Sequence, residues 1–277
     1  MTSQSKVWLV TGTSSGFGRN IVEEAIARGD RVVATARDSR ALDDLVKRAP
    51  ERVSALRLDV TKPHEIQNVV RAAYERFGAI DVLVNNAGYS IVGAVEETSD
   101  AELRSALETM FFGAAALTRA VLPQMRERRS GTIVQITSVG GLITAPGFGP
   151  YCAAKHALEG LSEALAAEVA PFGIRVLIVE PGAFRTSLFG SAFRSMPELG
   201  AYAETVGPTR KYAAESAGQQ PGDPVKAARA IVDAVAAGAA CLRLPLGADA
   251  VTSIRAKLAR VTADVDHTEA VAAATAF

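Results

Sequence analysis

Tyr151 and Lys155 stand four residues apart in YCAAK, and Ser138 lies thirteen residues before the tyrosine. On a helix a four-residue step places both side chains on one face. A nearby ammonium favours the phenolate of a phenol whose ordinary pKa is about 10. The pair is therefore a candidate for exchanging a proton near neutral pH, with Ser138 able to hydrogen-bond a substrate oxygen and stabilise charge developing there. The bland alternatives are a surface i, i+4 pair and a loop-capping serine.

A second constellation, VWLVTGTSSGFGRN at 7–20, permits two chemistries. Read as Gly12-x-x-x-Gly16-x-Gly18 after an apolar strand, it is a turn whose backbone N–H groups cradle a pyrophosphate. Thr11, Ser14 and Ser15 supply hydroxyls, and Phe17-Gly18 opens a helix whose positive end faces the anion. Read as Gly12-Thr13-Ser14-Ser15-Gly16, it fits the G-x-S-x-G elbow of a serine hydrolase. The elbow needs an acid and a histidine later in the chain. His64 follows Pro63 at a helix start, His156 sits inside a helix and His267 lies in a polar tail. The cradle is the better reading.

The elements that must position these residues follow from hydrophobic periodicity. Strands are expected at 7–10, 31–35, 53–58, 82–85, 132–136, 175–179 and 242–244. Helices are expected at 17–28, 39–47, 63–77, 101–128, 151–170 and 224–237, with an irregular segment from Phe184 to Gly222. VWLV, VLVN, TIVQI and VLIV are continuously apolar, as strands buried on both faces must be. The expectation is an α/β fold, a Rossmann-like doubly wound parallel sheet of seven strands with helices on both faces. In such sheets ligands bind beyond the carboxyl ends of the strands. Gly12, Arg37, Asp59, Asn86, Ser138, Pro181 and Gly182 all fall there.

The chain has 277 residues, enough for a single catalytic domain over 1–277. Thirty basic residues balance thirty acidic ones, which gives no electrostatic reason to expect nucleic acid or an anionic membrane as partner. Cys152 and Cys241 have no paired spacing, so neither a disulfide framework nor a metal site is indicated, and a cytoplasmic home fits. No apolar run is long enough for a signal peptide or a membrane span.

Six motifs in register make the chain resemble the short-chain dehydrogenase/reductase (SDR) family from about Val7 to Leu246. TGTSSGFG resembles its TGxxxGxG turn, LDV at 58–60 its adenine-contacting turn, and NNAG at 85–88 its fourth-strand signature. Ser138 with YCAAK resembles its catalytic set, and PGAFRT at 181–186 its nicotinamide loop. The resemblance implies a hydride transfer between a nicotinamide cofactor and an alcohol or carbonyl. Tyr151 would be the acid/base, Ser138 would orient the substrate, and Lys155 would tune the tyrosine and hold the nicotinamide ribose. Gly12, Ser14, Ser15, Gly16, Phe17, Gly18, Arg37, Asp59, Val60, Asn86, Ala87, Gly88, Pro181, Gly182 and Thr186 would hold the cofactor.

NAD enzymes of this kind carry an acidic residue after the second strand, whereas a 2′-phosphate calls for a cation. RVVATAR puts Ala36 at that place and Arg37 beside it, with Asp38 one position late. A planar guanidinium suits phosphate, so NADP(H) is expected ahead of NAD(H). One departure stands out. Many relatives place an asparagine at the kink of the helix after strand four, where it completes a water relay to the lysine; ETMFFG has Met110 there. Either the water is organised differently and the enzyme is active, or the protein senses NADPH without turnover.

Phe184–Gly222 is longer than a typical connection and holds Phe184, Leu188, Phe189, Phe193, Met196, Leu199, Tyr202 and Tyr212. As a lid with Tyr89, Leu142 and Phe148, it suggests a pocket for a bulky apolar alcohol or ketone. The same residues can instead pack the lid on its own domain or on a partner. The resemblance extends to hydroxysteroid, retinol and carbonyl reductases and implies a homodimer or homotetramer through the long helices at 101–128 and 151–170. Within 247–277, Ser253–Val265 reads as one more amphipathic helix and DHTEAVAAATAF as a polar end that covers the site, meets a partner or frays.

Overall fold

The computed structural model describes residues 5–238 and 241–276. The first four residues, Ala239, Ala240 and the terminal Phe277 of the expected polar end lie outside the described residues. Strands β1 (Val7–Val10), β2 (Arg31–Ala36), β3 (Val53–Arg57), β4 (Val82–Asn85), β6 (Gly131–Ile136), β7 (Ile174–Pro181) and β9 (Arg243–Leu246) form one sheet in the order β3-β2-β1-β4-β6-β7-β9. Every pairing is parallel; Leu9, for example, lies between Val33 and Leu83. The expected seven-stranded doubly wound sheet is thus observed. The chain winds outward from β1 to β3, then returns to start β4 on the other side of β1, and that reversal opens a crevice beyond β1 and β4.

Successive side chains of a strand point to opposite faces, and both faces are dry here. Trp8 and Val10 join Ile21, Val22, Leu177 and Ile231 in one buried cluster, against α1 (Gly16–Ala27) and α8 (Pro224–Ala237). Leu9 joins Ile66, Val70, Leu117, Val121 and Leu165 in the other, against α3 (Pro63–Phe77), α5 (Gly113–Arg128) and α6 (Gly149–Val169). The helix ends follow local chemistry. Pro63 sits in the first turn of α3, where its missing N–H costs nothing, and Gly78 closes that helix in the left-handed conformation at φ 77°.

Four local expectations are corrected. The stretch at 39–47 is a short 3₁₀ turn over Ser39–Leu42 followed by α2 (Asp43–Arg48). The single helix expected at 101–128 is α4 (Asp100–Leu107), a π-helical turn at Glu108–Phe112, and then α5. The segment expected to be irregular contains β8 (Phe193–Ser195) and α7 (Gly207–Glu215), and β8 pairs in parallel with β5 (Ser90–Val92), just after NNAG. The last helix, α9 (Ala248–Ala273), is twice the expected length and takes most of the expected polar end into its own turns.

Candidate active site

The crevice beyond the strand ends is a cleft of about 530 Å³. Its floor begins at the turn after β1, where Gly12 (φ 68°) and Gly16 (φ 59°) hold left-handed conformations that only glycine adopts cheaply. A Cβ on Gly12 would stand 3.0 Å from the Ala87 Cα, so the β1 and β4 turns touch without a side chain between them. Gly18 does not line the cleft, yet a methyl there would overlap the Gly12 carbonyl and the Asn86 amide, so it sets the approach of α1 to the sheet. Ser15 precedes α1 in extended conformation and makes no side-chain cap, which leaves first-turn N–H groups directed to the cleft.

Thr11 departs from its expected role. Its buried hydroxyl donates to the Val84 carbonyl at 3.3 Å and accepts from the Asn86 and Ala87 N–H groups at 2.9 and 3.0 Å. It ties β1 to β4 and has nothing left for phosphate. Asn86 likewise spends its amide N–H groups on the Thr11 and Gly12 carbonyls, at 2.8 and 3.0 Å. The residue lines the cleft but acts as a strut under the glycine turn.

Across the cleft, Tyr151 lies in the first turn of α6 and Lys155 one turn later. Both side chains line the cleft with Ser138, which starts the short 3₁₀ turn Val139–Gly141 after β6. Lys155 is held by donation to the Ile136 carbonyl at 2.8 Å, and its Nζ stands 5.8 Å from the Tyr151 ring centre. Burial pushes the Tyr151 phenol up to about 12, against a downward pull from Ser138. Burial also pushes the Lys155 ammonium down to about 8, opposed by Glu159. Desolvation therefore dominates, and the tyrosine is neutral at pH 7.

At the end of the cleft beyond β2, Arg37 is exposed, and its guanidinium makes no hydrogen bond or ion pair among the described residues. Asp38 is turned to Arg40, whose Nη2 meets it at 2.7 Å, so it does not compete for a ribose. Asp59 accepts from the Thr61 N–H at 3.0 Å and hydroxyl at 2.8 Å; these bonds hold its carboxyl below the usual range despite partial burial. Glu65, absent from the sequence reading, fixes this turn by accepting from the Asp59 N–H at 2.7 Å and from Arg57 at 2.6 Å. Its signal is a buried acid in the first turn of α3.

Ser14, Phe17, Val60, Ala87, Gly88, Pro181, Gly182 and Thr186 line the same cleft. No histidine does, among the described residues, and His156 is bound to the Cys152 carbonyl within α6, so Ser14 lacks the partner an elbow requires. Met110 is 1% exposed, lies against Gly88 and lines the cleft, and the turn around it stays π-helical without an asparagine. Phe184 packs edge-on to Phe17 and the Ser187 hydroxyl lies 2.8 Å from that of Ser15, so the lid base rests on the glycine turn. Of the eight large apolar residues expected in the lid, Phe184 and Leu188 line the cleft. Phe189 stacks on Phe148 and meets Phe193 and Tyr212 edge-on, so those rings pack the lid on its own domain. Met196 packs beneath the cleft near Tyr151, while Leu199 and Tyr212 are exposed. Ser105, Thr109, Ser191, Ala192 and Arg194 complete the wall beside Tyr89, and Arg194 lies 4.2 Å over the Tyr89 ring. The sequence carried no periodic signal for them because they come from two segments about eighty positions apart.

A glycine turn, an uncapped helix end and a part-buried serine beside a buried Tyr-Lys pair in one crevice define a dinucleotide-dependent oxidoreductase site of the doubly wound class. The sequence model of the short chain dehydrogenase family matches residues 6–196, and the chain belongs to the short-chain dehydrogenase/reductase family, whose members bind a nicotinamide cofactor. It is 39% identical over 248 residues to oxidoreductase BOA17 of Botryotinia fuckeliana, covering 89% of this chain and 90% of that protein. It is 40% identical over 196 residues to the 3-ketodihydrosphingosine reductase of Bacteroides thetaiotaomicron, covering 71% and 70%. The crystal structure of a short-chain dehydrogenase from Streptomyces avermitilis superimposes with a TM-score of 0.94 at 55% identity, over 99% of this chain and all of that one.

Proposed function

We propose that this oxidoreductase is an NADP(H)-dependent carbonyl reductase and alcohol dehydrogenase for bulky, largely apolar substrates. The observation that carries the reading is the convergence of Ser138, Tyr151 and Lys155 opposite the glycine turn in one cleft. The residues present suit the cofactor: left-handed glycines and free first-turn N–H groups match a pyrophosphate, and an unpaired Arg37 at the adenine end matches a 2′-phosphate. Gly12, Ser14, Ser15, Gly16 and Phe17 would take the pyrophosphate, Asp59 and Val60 the adenine side, and Ala87, Gly88, Pro181, Gly182 and Thr186 the nicotinamide side. The bound nicotinamide supplies or accepts the hydride.

Tyr151, neutral at pH 7, donates its proton to the carbonyl oxygen during reduction and recovers it in the reverse direction. The Ser138 hydroxyl donates to the same oxygen and stabilises charge there. Lys155 holds a positive charge beside the phenol and offers its remaining N–H donors to ribose hydroxyls. Tyr89, Leu188 and Ala192 give the substrate end an apolar wall with Ser105, Thr109 and Ser191 hydroxyls interspersed. A homodimer or homotetramer would use α4–α5 and α6; Phe112, 49% exposed at the π turn, fits such a contact.

The test is oxidation of NADPH and of NADH by purified protein against aryl ketones, aldehydes and ketosteroids, with Tyr151→Phe as control. The reading expects turnover with NADPH and a loss of at least about 10³-fold in the variant. NADPH binding without turnover of any carbonyl would instead establish the sensor reading and make Met110 its cause.

A further inference from the structure

Of the ten large apolar side chains exposed among the described residues, five lie on α9: Val251, Leu258, Val261, Val265 and Val271. The helix has 26 residues, about 39 Å at 1.5 Å per residue. It is anchored only by its first turns. Ala250 is fully buried and the Asp249 carboxylate accepts from the Ala183 N–H at 2.7 Å, whereas every described residue from Leu258 onward is exposed. A helix standing alone in water is marginal, and its stability comes from a covered apolar face.

The stripe is not evenly spread. Val251, Ile254, Leu258, Val261 and Val265 recur at alternating steps of three and four, the a and d positions of a heptad, and Ala256, Ala263 and Ala270 mark the opposite side. Steps of this kind build a two-helix seam. The helix carries three basic and four acidic residues, so it has no excess of positive charge with which to lie on an anionic lipid surface.

We infer that α9 is an assembly helix that pairs antiparallel with α9 of a second copy of this chain. The charges flanking the stripe select both occupant and direction. A parallel pair would set Asp264 of each copy beside Glu269 of the other, a like-charge contact. An antiparallel pair centred between Leu258 and Val261 sets Lys257 beside Asp264 of the second copy, twice over by symmetry. Its layers are Val251 with Thr268, Ile254 with Val265 and Leu258 with Val261, each repeated by the two-fold. This seam is separate from the long helices proposed above as an interface, and it would join the copies at the end where the Asp249 contact steadies the 181–186 loop.

Sedimentation of the full chain between about 1 and 100 µM tests the pairing. Leu258→Asp/Val265→Asp should halve the particle mass while NADPH affinity stays within about twofold. Lys257→Asp and Asp264→Lys should each weaken association about tenfold, and the swapped double variant should restore it to within about threefold. A wild-type mass that is monomeric throughout, or a mass unmoved by the two aspartates, overturns the inference. So does flotation of the wild type with vesicles of 30% phosphatidylglycerol that the aspartates abolish, since it would assign the stripe to lipid.

Discussion

Burial fixes the protonation of the two groups that stand one turn apart on the α6 wall of the cleft, and it moves them in opposite directions. Lys155 falls to about 8, so its ammonium is lost as the pH climbs through that value. Reduction should therefore be flat near pH 7 and decline above about pH 8, measured as kcat/KM. Lys155→Met should cost at least about 10²-fold and lack that limb. The same shift has a stability consequence. Between pH 8 and 10.5 the folded lysine binds fewer protons than the unfolded one, so stability rises with pH across that window. Removing the charge with methionine should accordingly raise Tm at pH 7, by about 3 °C or more, and the gain should shrink toward pH 10. Tyr151 works the other way: its folded pKa of about 12 exceeds 10, so its contribution is complete below pH 10 and lost as pH rises to 12. At the far end of the cleft, Arg37→Ala should raise the Kd for NADPH by roughly 10- to 100-fold and leave NADH within about twofold, because only the 2′-phosphate offers the guanidinium a partner. Equal losses for both cofactors would remove the NADP(H) assignment.

The glycine turn shows how an element transmits sequence to site. Gly18→Ala should weaken NADPH binding at least tenfold, because the added methyl meets the Gly12 carbonyl and Asn86 and forces α1 outward. Gly200→Ala is the control: nothing lies within 4 Å of its Cβ, and it should be silent. The lid tests a different link. Phe189 joins Phe148, just before α6, to β8 and α7, so Phe189→Ala should detach the lid, raise KM for bulky ketones several-fold and open 187–215 to limited proteolysis, with NADPH affinity retained. These elements differ in how far they were legible. Runs such as VWLV and TIVQI announce buried parallel strands directly, and the residues at their ends were all but fixed by that register. The π turn at Glu108–Phe112 was not legible in the periodicity, since it differs from α-helix by one residue in hydrogen bonding; only the resemblance placed a kink at Met110. The β5–β8 pairing was hidden too: two three-residue strands about a hundred positions apart carry no alternation to read. The role of Thr11 was misjudged for a related reason, because its partner Val84 comes from another strand.

Over the whole molecule the least legible feature is a charge cluster that locks the far edge of the sheet to α6. Arg243 on β9 pairs with Glu180 on β7 and with Glu159 and Glu163 on α6, drawing four residues separated by up to 84 positions onto one guanidinium. Glu180 is 0% exposed and Glu159 is 4% exposed in its side chain, and one oxygen of each has no hydrogen-bond partner among the described residues. Glu159 is also one turn from Lys155, and Glu180 precedes the cleft-lining Pro181, so the cluster underlies both walls of the cleft. Two buried carboxylates with one cation depend on that cation: removing one partner from such a site costs about 3–5 kcal/mol. Arg243→Met should therefore lower Tm by about 10 °C at pH 8. The pH dependence identifies the cause. Burial already holds the Glu180 carboxyl above its ordinary range, and losing Arg243 removes the opposing pull. A carboxyl whose folded pKa exceeds its unfolded one binds a proton in the native state that the unfolded chain has released. Native stability then grows as pH falls through the raised value. The deficit of Arg243→Met should shrink to less than half at pH 5, where a proton replaces the missing charge. A deficit of equal size at pH 5 and pH 8, followed by thermal unfolding, would mean that Arg243 stabilises the edge by packing alone.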